Sequence, residues 1–365
     1  MRLSAAASPA GQVLLYGACA VLVAAGMQAA ATLVSALVLA VVLATVLAPL
    51  LRRLREAGVP GWLAGIIVLV PVVLIGVLFV GFLVQSLGEL NAKIPGYITR
   101  LSALAAVVSE RFFGDPAALR GMMPAMTPEP GQIVALATGA LGGALQATND
   151  MLLVLFILLY TCMEAESFPT RVQAVVGPTS GLPRRLASLA EALRAFVLIN
   201  GQAGLLVAIV RTGLLLVLGV DFALLWGAWS LLLTYVPTVG YPLAVLPPTL
   251  LALVDRGPVT ALIVFVAFGV VNTVVYNLLQ PHWAGASLNL SPLVVIVSLF
   301  LWGIILGAMG ALLAVPLTMM AITLLESSEQ TRWLAALMRD HPPTAAETAA
   351  LPTGGPAPTS RRGTL

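Results

Sequence analysis

Apolar residues gather along the chain into runs near 12–28, 30–50, 62–87, 142–163, 196–220, 222–254, 258–280 and 292–325. A crossing of the hydrocarbon core takes about 20 residues of helix, so each run is read as one span, with a turn near Gln28 separating the first two. Hydrophilic breaks fall at Arg52 to Pro60, Glu89 to Pro130 and Glu164 to Arg194. The pattern predicts an all-α, polytopic integral membrane protein of about eight transmembrane helices, because a chain in lipid must satisfy its backbone internally. Within the second break, Leu90, Ile94, Tyr97, Ile98, Leu101 and Leu104 recur at helical spacing with Lys93, Arg100 and Ser102 between them. That spacing predicts an amphipathic helix that lies at an interface or packs on a partner helix. The expected units are residues 1–88 (three spans), 89–130 (an external amphipathic insert), 131–340 (spans four to eight with a cytoplasmic segment at 164–194) and 341–365 (a Pro-, Ala- and Thr-rich disordered tail).

Composition sharpens this. Hydrophobic residues make up 60% and charged residues 9% of the chain, against about 25% charged in a soluble domain, which excludes a water-soluble globule. With a cytoplasmic amino terminus, eight crossings place all 18 basic residues inside except Lys93, Arg100, Arg111, Arg120 and the intramembrane Arg211. The segment 222–254 carries Pro237, Gly240, Pro242, Pro247 and Pro248 and can either cross or return. Returning would move Arg256, Arg332, Arg339, Arg361 and Arg362 outside, so the positive-inside rule favours one broken crossing, with both termini in the cytoplasm. Cys19, Cys162 and two histidines cannot build a four-ligand site, so no metal and no cofactor is expected, and no basic patch points to nucleic acid. Paired carboxylates, a Ser/His/Asp set and the Walker phosphate signature are absent, which argues against an enzyme.

Candidate chemistry rests on a few polar residues inside the spans. Arg211 lies about 22 Å and Asp150 about 20 Å from the inner ends of consecutive spans, so the two charges match in depth and can pair. Thr148-Asn149-Asp150 before an apolar run is equally a helix-start signature. Asp221 is expected at the outer boundary, solvated. The break at Pro237, Gly240 and Pro242 leaves carbonyls that protein, water or solute must satisfy, the arrangement that forms many transporter sites. Asn272, Asn277, Gln280 and His282 offer neutral hydrogen bonding at the outer end of the seventh span. Gly61/Gly65, Gly139/Gly143 and Gly303/Gly307, with Gly310 beyond, read as close helix packing.

Several local patterns resemble one transporter family. They are Pro49-Leu50-Leu51-Arg52-Arg53-Leu54 followed by Gly58-Val59-Pro60, then Gly201-Gln202, then Tyr235-Val236-Pro237-Thr238-Val239-Gly240, and finally the run Asn277, Pro281, Gly285, Leu290, Pro292, Gly303, Gly307, Gly310 and Pro316. Their order and spacing resemble the autoinducer-2 exporter (AI-2E) family. The resemblance implies an eight-span homo-oligomer of the bacterial inner membrane that exports a small polar solute such as a quorum-sensing signal, or that exchanges a monovalent cation for protons. Arg211 departs from the family pattern, which carries an uncharged residue there. Export of a small polar solute is the leading expectation. Sodium/proton exchange comes second, with Asp150 as its carboxylate, which a nearby Arg211 would hold ionised. A non-transporting structural membrane partner comes third.

Overall fold

The computed structural model describes residues 9–113, 130–164, 167–176, 181–280, 282, 290–327 and 331–340. The tail 341–365, Pro281 and Gly285 lie outside the described residues, as does the part of the insert at 114–129. The described residues are helical throughout apart from turns and one isolated bridge between Leu290 and Arg339. Among the described residues, five helices are long and apolar enough to cross a membrane by length and composition. Their outward faces carry Ile66, Val70, Leu74, Ile75 and Leu78 on one helix and Ile209 and Leu216 on another, a surface suited to lipid.

The first two runs do not fold back at Gln28. Helices α1 (Pro9–Ala29) and α2 (Ala31–Glu56) are separated by Ala30 alone, whose φ −107° and ψ 26° lie outside the helical region and kink the chain. The amide of Ala30 still donates to the Gly26 carbonyl at 3.1 Å, and that of Val34 donates to Ala30 at 2.9 Å. A helical hairpin needs a connection of about 2–5 residues, so this is a kinked rod with Pro9 and Glu56 at its two ends.

Helix α3 (Gly61–Phe113) runs without interruption from the third span through the amphipathic stretch. Helix α4 (Pro130–Glu164) packs along α2 and α3 and brings the Cys162 carbonyl to Arg55 Nη2 at 3.4 Å. Ala36, Ala40, Ala44, Ala64, Val68 and Leu158 fill the seam of this bundle, small residues that let the backbones approach. A short helix α5 (Ser167–Val176) leads to α6 (Leu182–Val217), 36 residues or about 54 Å long.

Two hairpins enter from opposite ends of α6. The first is α7 (Ala223–Leu233) and α8 (Gly240–Arg256), joined by the turn 234–239. Trp229 Nε1 donates to the Leu243 carbonyl at 3.1 Å across the two arms, so they run antiparallel. Both open ends meet the same stretch of α3: Lys93 pairs with Asp221 at 2.9 Å and Arg100 with Asp255 at 2.7 Å, while a Cβ on Gly219 would lie 2.7 Å from the Arg256 guanidinium. The segment 222–254 therefore returns to the end it came from, and the expected broken crossing is corrected. Its arms, of 11 and 17 residues, are about 16 and 25 Å long and fall short of a full crossing.

Helix α9 (Pro258–Thr273), continued by a π-helical segment Val274–Leu279, then runs alongside α8 and back toward the middle of α6. The second hairpin is α10 (Pro292–Leu312) and α11 (Ala314–Leu325), followed by the short α12 (Arg332–Leu337). Within α10 the chain reverses at Gly307, whose φ of 68° and ψ of −150° only glycine adopts freely. Trp302 Nε1 donates to Thr318 Oγ1 at 3.1 Å across the arms, and a Cβ on Gly310 would run into the Trp302 carbonyl oxygen. Gly303, Gly307 and Gly310 thus close a turn within one segment, and the eighth run does not cross. Its open end lies with Arg185, which donates to the Glu326 carbonyl, and with Arg339, which pairs with Glu326.

The hairpin tips converge on one part of α6. Leu306, Leu313, Val315 and Leu317 pack with Leu193 and Phe196 of α6 and with Val38 and Val42 of α2. Tyr235 at the first tip packs on the same cluster, its ring 6.2 Å from that of Phe196. A separate core of Leu215, Trp226, Val245, Leu251, Val264 and Phe268 ties the first hairpin to α6 and α9, and Leu90 and Tyr97 of α3 cover it. Leu90 and Tyr97 of the amphipathic stretch thus pack on this hairpin.

Candidate functional site

The first tip is built to leave a gap. Pro237 has no N–H to donate, and Thr238 holds φ of 59°, a left-handed conformation that is costly for a β-branched residue. The arms meet tightly below it, because a Cβ on Gly240 would run into the Leu233 carbonyl oxygen. On the α6 side Gly201 and Gly204 let the tip approach: their Cβ positions lie 3.1 Å from the Tyr235 hydroxyl and 2.9 Å from Thr234 Oγ1. The unwound turn and the α6–α9 surfaces enclose a cavity of about 420 Å³.

The cavity wall mixes neutral polar groups with the apolar Leu233, Val236 and Ala244 and carries one charged group. Asn200 and Arg211 come from α6, Ser230 and Thr234 from the first arm, Pro237, Thr238, Gly240 and Tyr241 from the tip and second arm, and Asn272, Tyr276 and Gln280 from α9 and its π-helical continuation. A chain of hydrogen bonds fixes their orientation. Gln280 Nε2 donates to Asn200 Oδ1 at 3.2 Å, and Asn200 Nδ2 donates to the Phe196 carbonyl at 2.8 Å. Tyr276 donates to Thr234 Oγ1 at 2.8 Å, and Thr234 donates to the Ser230 carbonyl at 2.9 Å. Among the described residues no carboxylate or histidine lines this cavity, and no group of three potential metal ligands occurs.

Arg211 is the exception. Its side chain is 2% exposed, and its neighbours are neutral: Nη1 donates to Ser230 Oγ at 3.2 Å, and Nη2 lies 3.4 Å from Asn272 Oδ1 and 3.5 Å from the Phe268 carbonyl. The Phe268 and Tyr241 rings flank the guanidinium at 4.7 and 5.7 Å, which offsets part of its desolvation. Nε has no hydrogen-bond partner.

The structure gathers five of the expected residues, Arg211, Pro237, Gly240, Asn272 and Gln280, around this one cavity. Pro242 is the third residue of α8, and Asn277 lies within the π-helical segment; neither is on the wall. His282 is exposed, its ring Nδ1 beside the Leu278 carbonyl at 2.5 Å. Asp150 is elsewhere. It lies in the interior of α4, not at its start, and its carboxylate accepts from Gln146 Nε2 one turn earlier at 3.0 Å. Depth alone suggested a pair with Arg211, but α4 packs on α2 and α3 while Arg211 faces α7 and α9.

Asn200, Ser230, Thr234, Tyr241 and Tyr276 are the wall residues that sequence reasoning missed. Ser230 and Thr234 carried a signal, since two hydroxyls four apart share a helix face leading into the Tyr235–Gly240 motif. Asp221, expected to be solvated, keeps its side chain 43% exposed and also clamps the hairpin base through Lys93 and through the Tyr97 hydroxyl at 3.0 Å. The hydrogen bond from Lys93 holds its carboxyl below the usual range, against the opposing effect of partial burial.

Comparison with known proteins finds relatives over most of the chain. The sequence model described as AI-2E family transporter matches residues 18–330. The AI-2 transport protein TqsA of Escherichia coli (strain K12) is 29% identical over 325 residues, 88% of this chain and 93% of its own length. YhhT of the same organism is 31% identical over 332 residues, covering 89% of this chain and 93% of that protein. A transport protein of Haemophilus influenzae is 28% identical over 337 residues, 90% of this chain and 96% of the relative. With its apolar helices, its hairpins and a family match over most of its length, this chain is a multi-pass membrane protein that belongs to the AI-2E family of transporters.

Proposed function

We propose that this protein exports a small polar solute, of the class that TqsA's name indicates, from the bacterial cytoplasm, and that the solute binds between α6, the first hairpin and α9. The observation that carries the reading is the broken tip. An unwound turn with a strained Thr238 and a proline walls a cavity in which amides, hydroxyls and phenols are oriented by two short hydrogen-bond chains, beside the apolar Leu233, Val236 and Ala244. Irregular backbone is tolerated at membrane depth where it lines such a cavity, and interrupted helices commonly bind transported solutes. The end bearing Arg52, Arg53, Arg55 and Arg185 faces the cytoplasm in this reading, by the excess of basic residues there. Both hairpins returning to their own ends keeps Arg332 and Arg339 on that same side.

Cation/proton exchange through this cavity fits less well. Exchange needs an acid that alternates between proton and cation, the wall has none, and Arg211 would repel the cation. The test is flux in proteoliposomes under imposed gradients of an autoinducer-2-type signal, sodium or protons. Signal flux that falls at least tenfold in Asn200→Ala and Gln280→Ala supports the proposal. Sodium-driven proton movement insensitive to both substitutions would overturn it.

A further inference from the structure

We infer that the solute held in this cavity carries an anionic group, a carboxylate or a phosphate, which Arg211 engages. The inference rests on the reading of the cavity as the solute site and names the chemistry that site selects.

Arg211 is a permanent cation in a place that ordinarily excludes one. Guanidinium stays protonated in proteins, so the charge is not removed by titration near neutrality. The side chain is 98% withdrawn from solvent, yet among the described residues none of its partners is a carboxylate. A buried charge without a counter-charge is costly, and natural proteins pair it. The three contacts it does make are to neutral oxygens at 3.2, 3.4 and 3.5 Å, at or past the outer edge of good N–H···O geometry, and Nε donates to nothing. Two flanking rings stabilise the cation from its faces but leave its in-plane donors unspent. Those donors are what a carboxylate or phosphate oxygen takes up, in the fork geometry that distinguishes arginine from lysine.

The rest of the wall fits the remainder of such a solute. Asn200, Thr234, Thr238, Asn272, Tyr276 and Gln280 supply donors and acceptors for hydroxyl or carbonyl groups and no negative charge that would oppose an anion. A hydroxy acid or a sugar phosphate is complementary to this set, whereas a neutral polyol would leave the arginine without a counter-charge.

The test reads the cavity's charge preference without needing the natural solute. Thr238→Cys places a thiol on the wall, in a full-length chain with Cys19 and Cys162 replaced by alanine and reconstituted in liposomes. Its rate of modification is measured with sulfonatoethyl, trimethylammonioethyl and methyl methanethiosulfonates, which are anionic, cationic and neutral. A cleft carrying one unneutralised charge concentrates ions of opposite sign by about tenfold or more. The anionic reagent, corrected for its rate with a free thiol, should therefore outpace the cationic one by at least about tenfold with Arg211 present. The ratio should persist in Arg211→Lys and fall to near one in Arg211→Gln. An anionic-to-cationic ratio of one or less with Arg211 present overturns the inference, whatever the glutamine variant does. If the neutral reagent modifies Thr238→Cys and stops flux without any charge preference, the inference fails and the solute site stands. If modification leaves flux unchanged, or no reagent reaches the thiol, both fail.

Discussion

Gly240→Ala tests whether the first hairpin is as tightly closed below its tip as the geometry requires. The added methyl would meet the Leu233 carbonyl oxygen head on and would lie 3.1 Å from the carbonyl carbon and 3.6 Å from the Leu233 Cβ. The obstacle is backbone and cannot rotate away, so the two arms must part by at least about 1 Å to bring a 2.0 Å approach out to the 3.0 Å that real Cβ atoms keep. Overpacking of this kind costs about 1–3 kcal/mol. Against it stands the conformational gain of alanine over glycine, at most about 1 kcal/mol in a helix interior and less at the first position of α8. The net expectation is a loss of about 1–2 kcal/mol. Gly213→Ala in α6 supplies the control, because nothing lies within 4 Å of its Cβ position, and it should be neutral or stabilising by up to about 1 kcal/mol. Thermal unfolding of the purified protein in detergent gives the two signs, and flux in proteoliposomes shows whether a splayed tip still carries solute. Gly240→Ala unfolding at or above the wild-type midpoint would refute the reasoning, since the arms would then separate at no cost.

The remaining expectations concern topology and charge. Cysteines at Asp221 and Arg256 should react with an impermeant maleimide from the same face of the membrane; labelling from opposite faces would restore a crossing at 222–254. Asp150→Asn should change stability by no more than about 0.5 kcal/mol and add to Arg211→Gln within a similar margin, because the two residues share no partner; a coupling above about 1 kcal/mol in the double-mutant cycle would show a contact after all. The Asp221 carboxyl is held below its unfolded value of about 3.9, so the stability it contributes is complete above that pH and is lost as pH falls through the lower folded value. An acid titration of unfolding should therefore show a small wild-type loss below about pH 4 that Asp221→Asn lacks. Equal acid sensitivity of both proteins would remove Asp221 from the hairpin clamp.

Which segments are apolar helices was legible from the sequence, as was the break at Pro237 to Gly240, because both follow from residue type. Whether a broken run crosses or returns was not. Charge counting could not separate two crossings from two returning hairpins, since either choice leaves Arg332 and Arg339 on the side of Arg185. The reversal at Gly307 sits between Leu299 and Val315, a stretch without proline or polar punctuation, and its three glycines look the same as a helix-packing stripe. The partner of Arg211 was hidden for another reason. Depth along a helix comes from counting residues, but direction around the axis has meaning only once the neighbours are known, and α6 turns this side chain toward Ser230 and Asn272. The Lys93–Asp221 and Arg100–Asp255 clamps join residues 128 and 155 positions apart, beyond the reach of any local pattern.

The π-helical segment at Val274–Leu279 has a consequence in angular terms. An α-helix turns about 100° per residue, so residues four apart drift by about 40° and residues eight apart by about 80°. Asn272, Tyr276 and Gln280 are spaced in this way and would spiral off a common wall, yet all three line the cavity. The wider π turn holds one residue more than an α turn, and seven α steps in place of eight leave the two ends within about 20° of each other. The segment thus works as a one-residue phase correction. Shortening the chain by one residue inside 274–279 would keep Asn272 toward Arg211 and Gln280 toward Asn200 on a plain α-helix, while the same deletion elsewhere in α9 would swing one row about 100° away from the other.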